Sequence, residues 1–243
     1  MLVFPALVVA ITCCSNRSGD PGICISFDDR SIREWSELRP LLNSYNAKVT
    51  FFVTQYDSLD AEERKILKDL EADGHEIGSH GALHVLSEQY IKDHSFEEYL
   101  EKEIDRELES FKSDGFTPTS FAYPYGSKYW FTDYLLLKRF KVLRSVAPYS
   151  DPIAEIDEIY YKFDNDQTLS ALGFDRGSGV TIENLQKAFD RAQRHNEVFM
   201  LYAHAPGNGG EEYTFDIELL EQILILAKKN GLKFYRFKDM VTP

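Results

Sequence analysis

Short apolar runs alternate with longer amphipathic segments along this chain. The runs are rich in β-branched and aromatic residues, which predicts β-strands. The predicted strands are Ile23–Phe27, Lys48–Val53, Glu76–Ser79, Ser120–Ala122, Lys141–Val146, Ile159–Phe163, Val198–Ala203 and Lys233–Phe237. Strands that are each followed by a longer helical segment are typical of parallel βα units.

The segments between these runs carry apolar residues at three- and four-residue spacing, with charged residues on the opposite face. The predicted helices are Ile32–Tyr45, Ala61–Ala72, Phe96–Phe111, Asp133–Arg139, Ile182–Arg194 and Phe215–Lys229. About seven βα repeats with no Pro/Gly-rich linker, in a chain of 243 residues, predict one α/β domain built on a barrel of parallel strands. An open, doubly wound sheet is the structural alternative.

Charge and composition exclude some classes of partner. The chain has 27 basic and 40 acidic residues and a net charge of -13, which would repel nucleic acid and anionic lipid headgroups. It contains no glycine-rich phosphate-binding motif of the kind found in nucleotide-binding proteins. We therefore expect no nucleic-acid partner, and ligands that are neutral or cationic.

The first residues resemble an export signal. Met1 to Cys14 are uncharged and mostly apolar, and this stretch is too short to span a bilayer. Cys13 and Cys14, followed by polar residues, resemble the lipidated cysteine and tether of a bacterial lipoprotein. We expect residues 1–20 to be leader and tether, and the protein to be exported and membrane-anchored, facing the periplasm or the cell surface. A buried first strand is the alternative.

Two adjacent carboxylates and two histidines stand at the carboxyl ends of predicted strands. Asp28 and Asp29 end the first strand, and His80 and His84 follow the third. In parallel α/β folds these ends share one rim, so the side chains can converge. Three of them can hold one divalent cation with open positions, and the spare carboxylate can act as a base. Taken alone, each pair also fits helix capping or a surface position.

Two further motifs fall at strand ends. In Tyr123-Pro124-Tyr125 the proline lacks an N–H and disfavours a helix before it, so the Tyr125 N–H can face the site and hold an oxyanion. An aromatic-rich turn is the plainer interpretation. His204 follows the strand Val198–Ala203, where it can protonate a leaving group or simply be hydrogen-bonded.

In this order, the motifs resemble those of the polysaccharide deacetylases, which form carbohydrate esterase family four and share the NodB-homology domain. The similar motifs are Phe27-Asp28-Asp29, His80-x-x-x-His84, Tyr123-Pro124-Tyr125 and Tyr202-Ala203-His204. The resemblance covers roughly Pro21 to Phe237. It implies a distorted (β/α)7 barrel as a single NodB-like domain, with residues 21–243 as the catalytic domain.

The resemblance also implies a metal site. It makes Asp29, His80 and His84 the ligands of one divalent cation. Zn²⁺ suits two histidines and an aspartate best, and Co²⁺, Ni²⁺ or Mn²⁺ could occupy the same site.

Other roles carry over to the remaining motif residues. The resemblance makes Asp28 the general base and His204 the acid on the leaving amine, while the Tyr125 N–H would bind the oxyanion. It implies substrate contacts by Pro124, Tyr125 and Tyr202. Tyr202 stands where the family usually has a leucine, which affects the expected substrate preference.

Two parts of the family pattern are absent. Ala122 stands where the family usually has an arginine that orients the base, and we expect Arg144, on the next strand, to substitute as a catalytic residue. The motif whose aspartate supports His204 is not recognisable. Asp164 or Asp166, after the strand Ile159–Phe163, is the expected replacement.

The resemblance implies a metal-dependent hydrolase that removes N-acetyl groups from an acetylated amino-sugar polysaccharide or oligosaccharide. An O-acetyl esterase acting on acetylated xylan is the alternative enzyme, because ester and amide use the same site. A glycan-binding protein that retains the metal site without turnover is the alternative from a different class.

Overall fold

The structure is a computed structural model that describes residues 19–207 and 213–241. The expected leader and tether, residues 1–20, lie outside the described residues except for Gly19 and Asp20. In the part of the chain that is described, no helix is both long enough and apolar enough to cross a membrane.

Eleven strands are described. They are β1 (Gly22–Asp29), β2 (Thr50–Val53), β3 (Glu76–Ser79), β4 (Ser120–Ala122), β5 (Val142–Ala147), β6 (Tyr160–Tyr161), β7 (Thr168–Gly173), β8 (Val198–Ala203), β9 (Ala205–Pro206), β10 (Thr214–Phe215) and β11 (Lys233–Tyr235). Seven of them, β1 to β5 with β7 and β8, pair in parallel in this order. Strand β8 also pairs with β1, from Gly22 opposite Val198 to Phe27 opposite Ala203, which closes the barrel. Closure excludes the open, doubly wound sheet.

Nine α-helices are described around the barrel. They are α1 (Ile32–Glu37), α2 (Arg39–Ser44), α3 (Ala61–Ala72), α4 (Ser87–Asp93), α5 (Phe96–Tyr99), α6 (Arg106–Ser113), α7 (Thr132–Leu136), α8 (Ile182–His195) and α9 (Ile217–Lys229). A π-helix, Leu100–Asp105, joins α5 to α6. The sequence predicted one helix over Ile32–Tyr45, whereas the structure has two, because Pro40 sits in the first turn of the second.

One predicted barrel strand is wrong and one barrel strand was missed. The predicted strand Ile159–Phe163 is only β6, which runs antiparallel to the start of β8 and is not one of the seven barrel strands. Its place in the barrel belongs to β7, which pairs with both β5 and β8. Strand β7 alternates small polar residues with apolar ones, so its hydrophobic pattern is weaker than that of the tyrosine-rich β6.

Alternation along the strands decides which side chains enter the barrel. In β1, Ile23, Ile25 and Phe27 pack in the larger hydrophobic cluster, which includes residues of α1, α3, α8 and α9. Cys24 packs in a separate cluster with residues of β2, β4, β5, β7 and β8. The period of two therefore directs Asp28 into the barrel interior, at the carboxyl end of β1.

Candidate active site

Three side chains meet at the carboxyl ends of β1 and β3. The Asp29 Oδ1 lies 3.1 Å from the His84 Nε2 and 3.4 Å from the His80 Nε2, and the two Nε2 atoms are 3.3 Å apart. Ligands about 2.1 Å from a common cation, at tetrahedral or octahedral angles, are separated by roughly 3.0–3.4 Å. Among the described residues, this is the one such group of histidine, cysteine and acidic side chains.

A hydrogen bond at the Nδ1 of His80 orients the ring so that its Nε2 can bind a metal. His80 is buried, and its Nδ1–H donates to the Ala122 carbonyl over 2.8 Å. This bond places the proton on Nδ1 and leaves the Nε2 lone pair facing Asp29 and His84. Burial alone would raise the pKa of Asp29, but the neighbouring imidazoles of His80 and His84, when they are protonated and no cation is bound, outweigh it and hold the pKa well below its usual range. The residues present fit a divalent cation.

Left-handed backbone, rather than a helical turn, brings the two histidines together. The segment from His80 to His84 is irregular, with φ of 87° at Gly81 and 57° at His84. Asp29 also has a positive φ, 86°. The side chain of Asp29 therefore does not follow the alternating pattern of the strand. It contacts His80 and His84, whereas Asp28 contacts Arg144.

Asp28 forms a buried ion pair with Arg144. Their side chains are 3% and 1% exposed, and the guanidinium donates to the Asp28 Oδ2. The guanidinium carbon lies 4.8 Å from the centre of the Tyr202 ring and 5.3 Å from that of Phe52. Within the described part of the chain, the Asp28 Oδ1 has no hydrogen-bond partner. Arg144 therefore fixes one carboxylate oxygen and leaves the other available.

His204 is supported by Asp175, a residue that sequence reasoning did not find. The His204 Nδ1–H donates to the Asp175 Oδ2 over 2.7 Å, and the His204 backbone N–H donates to the other oxygen over 3.0 Å. Burial alone would lower the pKa of His204, but the Asp175 carboxylate and the charges of Asp28 and Asp29 raise it. The Nε2 is left to face the cleft, 4.0 Å from the Asp29 Oδ2.

The predicted support by Asp164 or Asp166 is wrong. The Asp164 carboxylate accepts from the Asp166 N–H, and the Asp166 carboxylate accepts from Thr168, so both shape the turn before β7. Asp175 follows β7 instead. An aspartate just after an alternating strand is the same signal that identified Asp28, and it could have found Asp175 had β7 been recognised.

The third motif forms one wall of the cleft. Tyr125 has a φ of 57° and is 62% exposed, and its ring lies 4.7 Å from the His84 ring. Its backbone N–H has no acceptor among the residues that the structure describes. Pro124 is buried beneath it and begins the short 3-10 turn Pro124–Gly126. Tyr125 therefore lines the cleft, whereas Pro124, which was expected to contact substrate, is buried and is not among the described lining residues.

The predicted residues converge on a single cleft of about 360 Å³. Its described lining includes the predicted substrate contact Tyr202 and the catalytic and metal-site candidates Asp28, Asp29, His80, His84, Tyr125, Arg144 and His204. Tyr213 also lines it, with its ring 5.1 Å from that of His204. A proton acceptor, Asp28, a proton donor, His204, and a three-ligand cation site therefore line the same cleft.

Comparisons with known proteins agree with this arrangement. The family model described as polysaccharide deacetylase matches residues 15–139, which contain the first three motifs. No curated protein matches the chain.

Several solved structures share the fold. The catalytic domain of a peptidoglycan N-acetylglucosamine deacetylase from Eubacterium rectale is 20% identical, with a TM-score of 0.53 over 93% of this chain and 91% of that one. A chitin deacetylase from Colletotrichum lindemuthianum is 14% identical, with a TM-score of 0.60 over 92% and 89%. A family 4 acetyl xylan esterase from Clostridium thermocellum, in complex with cobalt, is 18% identical, with a TM-score of 0.55 over 90% and 89%.

Proposed function

Because this chain belongs to the polysaccharide deacetylase family, we propose that it is a metal-dependent hydrolase that removes N-acetyl groups from an amino-sugar polysaccharide or oligosaccharide. The observation that carries this proposal is the position of Asp28 and His204 in one cleft with the Asp29, His80 and His84 cluster. A base, an acid and a cation site together are sufficient for the hydrolysis of an unactivated amide.

Asp29, His80 and His84 would hold the cation. A divalent cation bound there supplies a Lewis acid for the acetyl carbonyl and lowers the pKa of bound water towards neutrality. Zn²⁺ is the metal we propose first, on the chemistry of two imidazoles and one carboxylate. Co²⁺, Ni²⁺ and Mn²⁺ remain alternatives for the same donors.

Asp28 would take the proton from the attacking water. Its Oδ1 has no hydrogen-bond partner among the described residues, while Arg144 holds its Oδ2. This arrangement fixes the direction of the carboxylate, with one oxygen held and the other free to take a proton. The Tyr125 N–H, on the rim beside His84, would donate to the oxygen of the acetyl group as negative charge develops there.

His204 would give its proton to the leaving nitrogen of the sugar. The Asp175 carboxylate fixes the proton on Nδ1 and stabilises the charged imidazolium, so the Nε2 carries the transferable proton on the cleft side. After transfer, the products are acetate and a free amine on the sugar.

N-acetylglucosamine oligomers and acetylated xylan should be compared as substrates of the Zn²⁺- or Co²⁺-loaded protein, with acetate release as the measurement. The proposed amidase releases acetate faster from the amino-sugar oligomer. Faster release from acetylated xylan would instead support the O-acetyl esterase, which uses the same acid and base.

We also propose that the protein is exported and carries a lipid on Cys13 or Cys14. This rests on the apolar segment and the cysteines of residues 1–20. Fractionation of producing cells should place the full chain with the membranes. The Cys13→Ser, Cys14→Ser double variant should move to the soluble exported fraction, and an unchanged distribution would argue against the lipid anchor.

A further inference from the structure

The loop that carries both ligand histidines rests on two buried glutamates. Glu103 lies in the π-helix Leu100–Asp105, and Glu107 lies four residues later in α6. Their exposed fractions are 0% and 1%. Among the described residues, neither carboxylate forms a salt bridge with lysine, arginine or histidine. Burial raises the pKa of both carboxyl groups, and each buried group needs hydrogen-bond partners within the protein.

Glu107 binds the first half of the loop. Its Oε2 accepts from the Ser79 hydroxyl, at the end of β3, and from the Gly81 N–H over 2.8 Å. These two donors lie immediately before and after His80. The same carboxylate oxygen therefore fixes the backbone on both sides of the first ligand.

Glu103 binds the second half. Its Oε2 accepts from the Leu83 N–H over 2.5 Å, and its Oε1 accepts from the Val85 N–H over 3.2 Å. These residues flank His84. The Glu103 backbone carbonyl also accepts from the Ala82 N–H over 2.9 Å. The N–H groups of an irregular surface loop usually bond to water, whereas here a helix supplies their acceptors.

The Glu103 carboxylate lies so close to the loop backbone that only glycine fits at position 81. Gly81 has a positive φ, and a Cβ atom at this position would overlap the Glu103 carboxylate. The helix itself departs from α geometry next to the loop, since Glu103 lies in a π-helical turn. Such turns are rare and occur often at functional sites. Glycine in the loop and the π-helical turn together let the carboxylates reach the backbone.

We propose that Glu103 and Glu107 are positioning residues that set the spacing of His80 and His84 as metal ligands. The proposal rests on the metal site of the proposed function. Without the two carboxylates, the left-handed turns at Gly81 and His84 lose the acceptors that hold them. The ligand nitrogens then sample positions in which they do not face a common point with Asp29.

The test is cobalt binding by the metal-free full chain with Glu103→Gln or Glu107→Leu. Glutamine at position 103 keeps one acceptor oxygen but replaces the other by an NH2 group that faces an N–H. Leucine is used at position 107 because one carboxylate oxygen there accepts from both Ser79 and Gly81 while the other has no partner among the described residues, so the oxygen of a glutamine could keep both bonds. We expect the Kd for Co²⁺, measured by competition with a chelator, to rise about 10–100-fold, as for other groups that support metal ligands. The visible absorption band of bound Co²⁺ should change, because it reports the ligand geometry.

Glu76→Gln is the matched control. Glu76 is also a buried glutamate that accepts from two hydroxyls and a backbone N–H, but it lies at the amino end of β3, away from the cleft. Its variant should lose stability while its Co²⁺ affinity and spectrum stay as in the wild type. Ser79→Ala, a smaller change that removes one donor to Glu107, should weaken Co²⁺ binding several-fold if the Glu103 and Glu107 variants do not fold.

Wild-type affinity and spectrum in the Glu103 and Glu107 variants, with a stability loss like that of Glu76→Gln, would overturn the proposal. A Ser79→Ala variant with the Co²⁺ affinity and spectrum of the wild type would also overturn it. A wild-type chain that binds Co²⁺ but releases no acetate would contradict the proposed function and leave this proposal intact. A wild-type chain that binds no Co²⁺ would contradict both.

Discussion

Ala122 on β4 and Arg144 on β5 are direct register partners, and the Arg144 guanidinium reaches Asp28 across the barrel interior. Partners in neighbouring strands point to the same face of a sheet. An arginine at either position would therefore enter the barrel at the same height. This explains how a chain with alanine at position 122 still pairs a guanidinium with the carboxylate of Asp28.

Arg144→Ala should lower acetate release at least about 100-fold, because it leaves the buried Asp28 without its partner. Metal content should stay at the wild-type level, since Arg144 does not contact Asp29, His80 or His84 among the described contacts. The measurements are turnover and bound metal per chain. Arg144→Lys keeps the charge but loses the planar fork, so we expect intermediate turnover.

The double variant Ala122→Arg, Arg144→Ala tests the register argument itself. Its arginine starts from the neighbouring strand at the same height, so part of the lost turnover should return. Turnover no better than that of Arg144→Ala, in a folded double variant, would show that the two positions are not equivalent. Full activity in Arg144→Ala would remove Arg144 from the mechanism.

Asp175→Asn should reduce turnover about 100-fold or more, because the neutral amide no longer stabilises a protonated His204. Asp164→Asn is the matched control, since this carboxylate shapes only the turn before β7 and should be near wild type. The measurement is the initial rate of acetate release from the same oligomer by the two variants. A large loss in Asp164→Asn with little loss in Asp175→Asn would instead make Asp164 the residue that supports His204.

The sequence predicted the barrel and most of its site because strong patterns coincide there. Strand β1 alternates large apolar side chains up to Asp28, and β8 is buried along nearly its whole length before His204. In both cases the polar residue follows a strand whose hydrophobic pattern is unambiguous. Position at the carboxyl end of such a strand was then enough to bring the residues together.

The residues that were missed depend on tertiary packing. Strand β7 is short and partly polar, and its place in the barrel follows from pairing with β5 and β8, which no local pattern encodes. Because β7 was not predicted, Asp175, which follows this strand, was not recognised as a site residue. The support of the histidine loop by Glu103 was also hidden, because a buried glutamate on an amphipathic helix has the same sequence appearance as a solvated one.

His75 should make stability depend on pH. It is 1% exposed, its Nδ1 accepts from the Val49 N–H, and its ring packs on Phe51. Burial lowers its pKa from 6.5 to about 4, helped by the nearby positive charge of Lys48. In the pH range between these values, the unfolded chain binds more protons than the folded one.

The contribution of His75 is therefore fully present above pH 6.5 and is lost as the pH falls towards 4. Its largest size is about 3 kcal/mol in the free energy of unfolding. Urea unfolding at several pH values should show this slope, and His75→Asn, which keeps an acceptor for Val49, should remove it. An equal slope in wild type and variant would mean that His75 is protonated without cost in the fold.

The most direct test of the account is acetate release from N-acetylglucosamine oligomers by the wild type and by Asp28→Asn, with metal content measured in both. Asparagine keeps the shape of the side chain but cannot take a proton. We predict release by the wild type, a loss of at least about 100-fold in the variant, and equal bound metal. Equal rates of acetate release by the wild type and Asp28→Asn would contradict the role of Asp28. If the wild type binds the oligomer as tightly as the variant but releases no acetate, the protein is a glycan-binding protein and the proposed activity is wrong.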